Sequence, residues 1–460
     1  GSFRFGYNSD SSPTVTGKVS GQSATLTENT STGQTITVTS GGSLTVELSS
    51  DSPSYSLVSA GSTDVTASVL RIRATNEAVK VTDIALQLTN FASSSISDLS
   101  NGKVTLWDGA SKVGEAVFTT GAYYNTASTT VSTCAGCSEF VVPKDGYKDL
   151  TVKVDLAPQG TSQPGTPGAF IAVDFEAGRA NDSIGKGGVK GTGSQSGTST
   201  LGGTSSDTAS SGFRVMKSVP TVKYISLPTG TSLTGASDKP LYRFSVSASA
   251  GGNGIGIAKF TFRFATSTAT TGGVIDVLDN INVRVYSDSG FSQLVTNNIQ
   301  TDGTIQATDR SLAVAWASAT TDISIQAETA ANASTTVQIP AGGTRYFEVI
   351  GDVTLSGAGA TYSVTTQLQG DTKHYARIAP YEGATGTPAT TASNRTLMSF
   401  LASSTEFDTG LTNSRNFIWT PNSTTTQTGT GTANDYTNGY GVSGLPASNL
   451  TPQTLSDKAL

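Results

Sequence analysis

Phe140-Val141-Val142-Pro143-Lys144-Asp145-Gly146 runs into Leu150-Thr151-Val152-Lys153-Val154, and far downstream Val337-Gln338-Ile339-Pro340-Ala341-Gly342-Gly343 runs into Tyr346-Phe347-Glu348-Val349-Ile350. In both, an apolar run is broken by proline and then glycine. Proline fixes φ at the first turn position and glycine supplies positive φ after it, so both stretches make one strand-turn-strand corner. A single corner is only a turn. The same corner met twice is an internal repeat, and a repeat sets the architecture before any strand is assigned singly.

Working outward, further segments correspond in the same order. Val69-Leu70-Arg71-Ile72-Arg73, followed by Val81 to Leu88, matches Leu241-Tyr242-Arg243-Phe244, followed by Ile257 to Phe264. Lys103-Val104-Thr105-Leu106-Trp107-Asp108 matches Asn282-Val283-Arg284-Val285-Tyr286-Ser287, and Phe170 to Phe175 matches Tyr362 to Leu368. Roughly seven short strands per copy, spaced by turn signals, predict an immunoglobulin-like or related sandwich. Helical periodicity is broken throughout by Gly, Thr and Ser.

The fold expected is therefore all-β: tandem immunoglobulin-like β-sandwich domains with extended terminal segments. Residues 1–60 form an N-terminal strand and hairpin segment, 61–215 the first sandwich repeat, 216–380 the second, and 381–460 a C-terminal β and loop segment. In the N-terminal segment Ile36 and Val38, then Ser40-Gly41-Gly42-Ser43, then Leu44, Val46 and Leu48 predict a hairpin with a Gly-Gly turn. Residues 184–212 and 423–432, dense in Gly, Ser and Thr, read as flexible loops or linkers.

A hydrophobic fraction of 35% suits thin sandwiches, and with 13% charged residues and a net charge of -6 there are no basic runs interleaved with aromatics, the footprint of a nucleic-acid binder. No run of about 18 apolar residues predicts a transmembrane segment. The chain opens on Gly1-Ser2 without an initiator Met, as either a processed form or a chain carrying a two-residue cloning scar would. Its two Cys are sparse, as in exported chains, where thiols are rare or paired.

Candidate chemistry is thin. His374, the only histidine, stands in Asp371-Thr372-Lys373-His374-Tyr375 without a second ligand or triad partner nearby. Cys134 and Cys137 form Cys-Ala-Gly-Cys; a redox role wants a βαβ context and zinc wants two more ligands, so a local disulfide at a hairpin tip is the reading. Asp276, Asp279, Asn280 and Asn282, and Asn434, Asp435 and Asn438, are rich in the oxygen ligands that Ca²⁺ prefers, though turn chemistry accounts for such residues equally. No cofactor is required, and calcium is the one left open. Asn29, Asn181, Asn332, Asn394, Asn422 and Asn449 begin N-x-[ST] triplets. Phe3, Phe5 and Tyr7 alternate with Arg4 and Gly6, placing three aromatics on one face of a terminal strand. That strand is either an edge of the first unit or one donated to a neighbouring subunit.

The segment Arg415 to Thr426, with Tyr436-Thr437-Asn438-Gly439-Tyr440-Gly441-Val442 and Gly444-Leu445-Pro446 after it, resembles the closing motif of large exported proteins of Candidate Phyla Radiation (Patescibacteria) bacteria. Arg73 to Val79 and Val104 to Ala110 are similar to segments of the same proteins. The resemblance implies an extracellular, cell-surface location on a bacterium, brings no known catalytic residues, and fits a surface-layer-like role.

The function expected is that of a self-assembling extracellular structural protein, forming a surface layer or filament through subunit-subunit β contacts, its partners being other copies of itself. The alternative is a monomeric adhesin or carbohydrate-binding protein with a cell-envelope glycan as partner. A hydrolase would need two carboxylates facing each other across a cleft.

Overall fold

The computed structural model describes residues 2–6, 14–25, 32–37, 41–88, 95–120, 127–132, 134–177, 188–202, 207–268, 277–312, 319–355, 362–371, 416–423, 436–446 and 449–456. They fold around two hydrophobic cores, one drawn from Leu44 to Val215 and the other from Met216 to Leu455.

Each core lies in an antiparallel β-sandwich of immunoglobulin-like kind, and the two are built alike. In the first, Leu99–Asp108, Tyr147–Leu156, Val65–Thr75 and Ser43–Leu48 lie side by side in that order; in the second the same places are taken by Val277–Tyr286, Thr344–Thr354, Ala236–Ala248 and Pro220–Ile225. Opposite these runs one long hub strand, Val79–Leu88 in the first unit and Ile255–Thr268 in the second. Two short strands lie end to end along each edge of the hub. One edge carries Ala127–Ser132 and Phe140–Val142 in the first unit, Ala319–Gln326 and Val337–Ile339 in the second. The other carries Val173–Phe175 and Val189–Gly193, matched by Tyr362–Leu368 and Phe417–Thr420.

Alternation drives this arrangement: Leu150, Val152, Val154 and Leu156 point into the core while Thr151, Lys153 and Asp155 between them face outward. The second core is aromatic, with Phe244 stacked on Phe347 at 5.0 Å and Phe260 edge-on to Phe417 at 5.6 Å. The first core is mostly aliphatic. Its two sheets are also joined, because Ser111–Val117 pairs with Ala127–Ser132 through Glu115 and Ser132, whereas in the second unit no ladder joins the sheets among the described residues.

The repeat is anchored by the same local devices in both units. Asp64 and Asp238, at φ 55° and 53°, donate their N–H groups to Asp155 Oδ1 and Asp352 Oδ1, both at 2.8 Å. Asn101 and Asn280, at φ 56° and 50°, stand in register shifts close to Asp155 and Asp352, a larger shift in the first unit than in the second. At the corners positive φ falls on Asp145 and Gly342, and the following Gly146 and Gly343 are needed for space: a Cβ there would stand 2.9 Å from Pro143 Cγ and 2.8 Å from Pro340 Cγ.

Counting from these anchors corrects the opening-strand match by two residues. Leu70 opposite Leu150 corresponds to Phe244 opposite Phe347, so Arg71 corresponds to Ser245 and Arg243 to Val69. The Arg71–Asp149 and Arg243–Glu348 ion pairs, at 2.8 and 2.6 Å, thus sit one outward-facing position apart in the two units.

Three other expectations are revised. Ser43–Leu48 pairs with Val65–Thr75, and Gly42 just before it donates its N–H to Glu77 Oε1 at 2.9 Å; Ile36 lies opposite Phe3, while Val38 and Ser40 are outside the described residues. Residues 184–212 hold two strands, Val189–Gly193 and Ser199–Gly202, and their glycines mark close backbone approach. A Cβ on Gly191 would lie 2.6 Å from Val79 Cγ1, and one on Gly202 would collide with the Leu44 carbonyl. Within 381–460, Phe417–Thr420 and Gln453–Ser456 are strands of the second sandwich.

Candidate functional site

The N-terminal strand Ser2–Gly6 pairs antiparallel with Thr32–Thr37, Phe3 opposite Ile36 and Arg4 opposite Thr35. These two strands form a sheet of their own; among the described residues no ladder joins them to either sandwich. Phe3 is 58% exposed. Tyr7 lies outside the described residues. An isolated two-stranded ribbon is marginal in water, and its outer backbone edges are templates for another strand.

The closing motif is built into the second core. Phe417, Ile418, Trp419 and Thr420 are all buried, and Trp419 Nε1 donates to the Asn438 carbonyl at 2.8 Å. Trp419 and Thr437 exchange backbone N–H···O bonds of 3.0 and 2.8 Å. Asp371, just past Tyr362–Leu368, fastens the motif: its carboxylate accepts from the N–H groups of Asn416 at 2.6 Å, Gly439 at 2.7 Å and Phe417 at 3.0 Å. Burial pushes this carboxyl up to about 6, against the downward pull of those three donors and of Lys259. Gly439 must be glycine, since a Cβ would meet Phe417 and Leu445 at 2.9 Å. The adjacent Tyr440 stacks on Tyr55 of the first unit at 4.7 Å. The motif therefore closes the second sandwich and bears on the first. Sequence reasoning met Asp371 only as a neighbour of His374; an acid directly after a strand was the one available signal.

A second carboxylate plays a like part in the first unit. Glu77 accepts from the Ser196 hydroxyl and from the N–H groups of Ser196, Gly42 and Gln195, and these bonds hold it at about 2. That value lies below the ordinary glutamate value of about 4.3, so its stabilising contribution is complete above that pH and is lost as pH falls through about 2. Glu77→Gln should therefore lower the melting temperature of the first sandwich at pH 7, and the gap from the unsubstituted protein should close as pH approaches 2.

Cys134 and Cys137 are joined in a disulfide across a tight turn, with Cys137 N–H donating to the Cys134 carbonyl at 3.0 Å. Of the oxygen-rich clusters, Asp276, Asn434 and Asp435 lie outside the described residues, as do His374, Asn29, Asn181 and Asn394. Asp279 Oδ1 accepts from Asn280 N–H at 2.8 Å, Asn280 Nδ2 donates to Asp352 Oδ2 at 2.7 Å, and Asn282 Nδ2 reaches Asp309 Oδ1 at 2.6 Å. Asn438 Oδ1 accepts from Tyr440 N–H at 3.2 Å. Among the described residues no three His, Cys, Asp or Glu side chains converge as they would around a metal. Of the N-x-[ST] asparagines, Asn332 is exposed in a turn, while Asn422 and Asn449 donate to Gln338 Oε1 at 2.9 Å and Gln367 Oε1 at 3.3 Å. Among the described residues no helix is long and apolar enough to cross a membrane.

No protein-family model matches the chain, and no curated protein sequence matches it. Among solved structures it is similar to the C-terminal domain of the antigen I/II polypeptide BspA of Streptococcus agalactiae, at 10% identity and a TM-score of 0.18 over 71% of this chain and 95% of that one. A second is the C-terminal domain of the antigen I/II-family protein AspA of Streptococcus pyogenes, at 10% identity and a TM-score of 0.17 over 71% and 95% of the two chains. Scores this low carry nothing from those proteins to this one.

Proposed function

We propose that this chain is an extracellular structural subunit that self-associates at a bacterial cell surface, forming a layer or filament through β contacts made by its N-terminal strand. The observation that carries this reading is the ribbon of Ser2–Gly6 and Thr32–Thr37, which among the described residues shares no ladder with either sandwich and holds Phe3 exposed. Strand addition takes its affinity from main-chain hydrogen bonds and its specificity from side chains such as the exposed Phe3. The closing motif supports a structural role, since it ties the end of the second unit into its core and stacks Tyr440 on the first.

Deleting residues 1–8 is the test. The truncated chain should keep both sandwiches by circular dichroism and lose the ordered sheets, tubes or fibres that the full chain forms by electron microscopy, with and without Ca²⁺. Unchanged assembly sinks the reading. A full chain that stays monomeric in every condition points instead to an adhesin.

A further inference from the structure

We propose that Asn332 is the acceptor for an N-linked glycan. The inference rests on the cell-surface reading, because such glycans are carried by exported chains.

In a chain this rich in Ser and Thr the N-x-[ST] triplet selects nothing by itself, so the choice falls to structure. Asn449 is held within the second unit. Its triplet runs through Leu450, a core residue whose N–H donates to the Leu368 carbonyl at 3.0 Å, and its own amide is committed to Gln367 Oε1. Asn422 is half-buried, with its amide committed to Gln338 Oε1. A glycan on either would break those bonds.

Asn332 differs on each count. It stands at the tip of a hairpin whose base is the bridge between Glu328 and Ser334. The tip closes through its backbone: Asn332 N–H donates to the Thr329 carbonyl and Thr329 N–H to the Ala333 carbonyl, both at 2.8 Å. Residues 330–334 are all exposed, and among the described residues no group binds the Asn332 side-chain amide. The triplet's hydroxyl is at the surface too, where Ser334 Oγ accepts from Gln326 Nε2 at 2.9 Å. The left-handed turn, with φ 58° at Asn332, accounts for an asparagine there. It makes no demand for a hydroxyl two residues on.

The position also leaves the sandwich intact. The hairpin lies between Ala319–Gln326 and Val337–Ile339, the two short strands on one edge of the hub, so a substituent at its tip interrupts neither ladder. At the same break in the first unit the chain turns through the Cys134–Cys137 disulfide. The donor is a glycan carried on a polyprenyl diphosphate. Asn332 Nδ2 bonds to C1 of the first sugar as the C1–O bond breaks; the polyprenyl diphosphate leaves with that electron pair, the amide gives one proton to the transferase, and nothing is oxidised or reduced.

Glycopeptide mass spectrometry of the full chain, isolated from the surface of the cells that make it, tests this, with electron-transfer fragmentation keeping each glycan on its residue. Asn332 should carry glycan in most copies, and Asn422 and Asn449 in none. Ser334→Ala should abolish that glycan and leave the circular dichroism spectrum unchanged. A surface chain bare at Asn332, one modified at Asn422 or Asn449 in its place, or a glycan that persists in Ser334→Ala overturns the inference and leaves the surface reading standing. A chain found bare and only inside the cell fails the surface reading as well.

Discussion

Replacing Asp371 with alanine is expected to destabilise the second sandwich by about 3–5 kcal/mol and to leave the first nearly untouched. The size follows from what the carboxylate satisfies. Asn416, Phe417 and Gly439 direct their N–H groups at it from two separate stretches of the closing segment, in a place without water access. Each donor left buried without an acceptor costs about 1–3 kcal/mol, reduced where the segment can relax outward. The pH dependence gives an independent check. Because burial holds the folded Asp371 value at about 6, above the ordinary aspartate value of about 3.9, its favourable share is complete below the lower value and is lost as pH rises through the higher. The stability gap between the unsubstituted protein and Asp371→Ala should thus be wider at pH 5 than at pH 7.5. Urea unfolding followed by tryptophan fluorescence reads both, and a loss under about 1 kcal/mol at pH 5 would mean that the carboxylate is solvated.

The same fastening explains how far the fold could be read from sequence. The corners at Pro143 and Pro340 were legible because proline and glycine state their backbone demands locally. The core strands were legible because their apolar residues alternate. What escaped was decided between distant residues. Gly191, Gly193 and Gly202 look like linker composition, yet they lie where Val79, Glu77 and Leu44 leave no room for a side chain. Asn280, left open between a cation ligand and a turn residue, takes a left-handed backbone conformation within a register shift, as Asn101 does in the first unit. Arg71 and Arg243 matched in the sequence because each begins an ion pair, although their rungs differ. Of the candidate site, the alternating aromatics of the terminal strand were visible, but the pairing of Ser2–Gly6 with Thr32–Thr37 was not, since nothing in either stretch names its partner.

The strongest test of the repeat itself lies at one rung where the two units use opposite volumes. Gly191 sits opposite Val81 and Trp419 opposite Ile257, and both strands carry the same bulge one step away. In the second unit the indole fills the core; Trp419→Ala should leave a cavity and remove the indole's bond to the Asn438 carbonyl, for a loss of about 3–5 kcal/mol. In the first unit that volume is already taken by Val79 and by Leu44 of the neighbouring strand, so even a methyl is too much. Gly191→Ala should destabilise the first sandwich by about 1–3 kcal/mol through overpacking. The sign decides the matter. Were Gly191 part of a flexible linker, alanine would restrict the unfolded chain and stabilise the protein by about 0.4–1 kcal/mol. Calorimetry of the two variants should therefore show each lowering a different transition, and a Gly191→Ala protein that melts higher than its parent would remove Val189–Gly193 from the sheet.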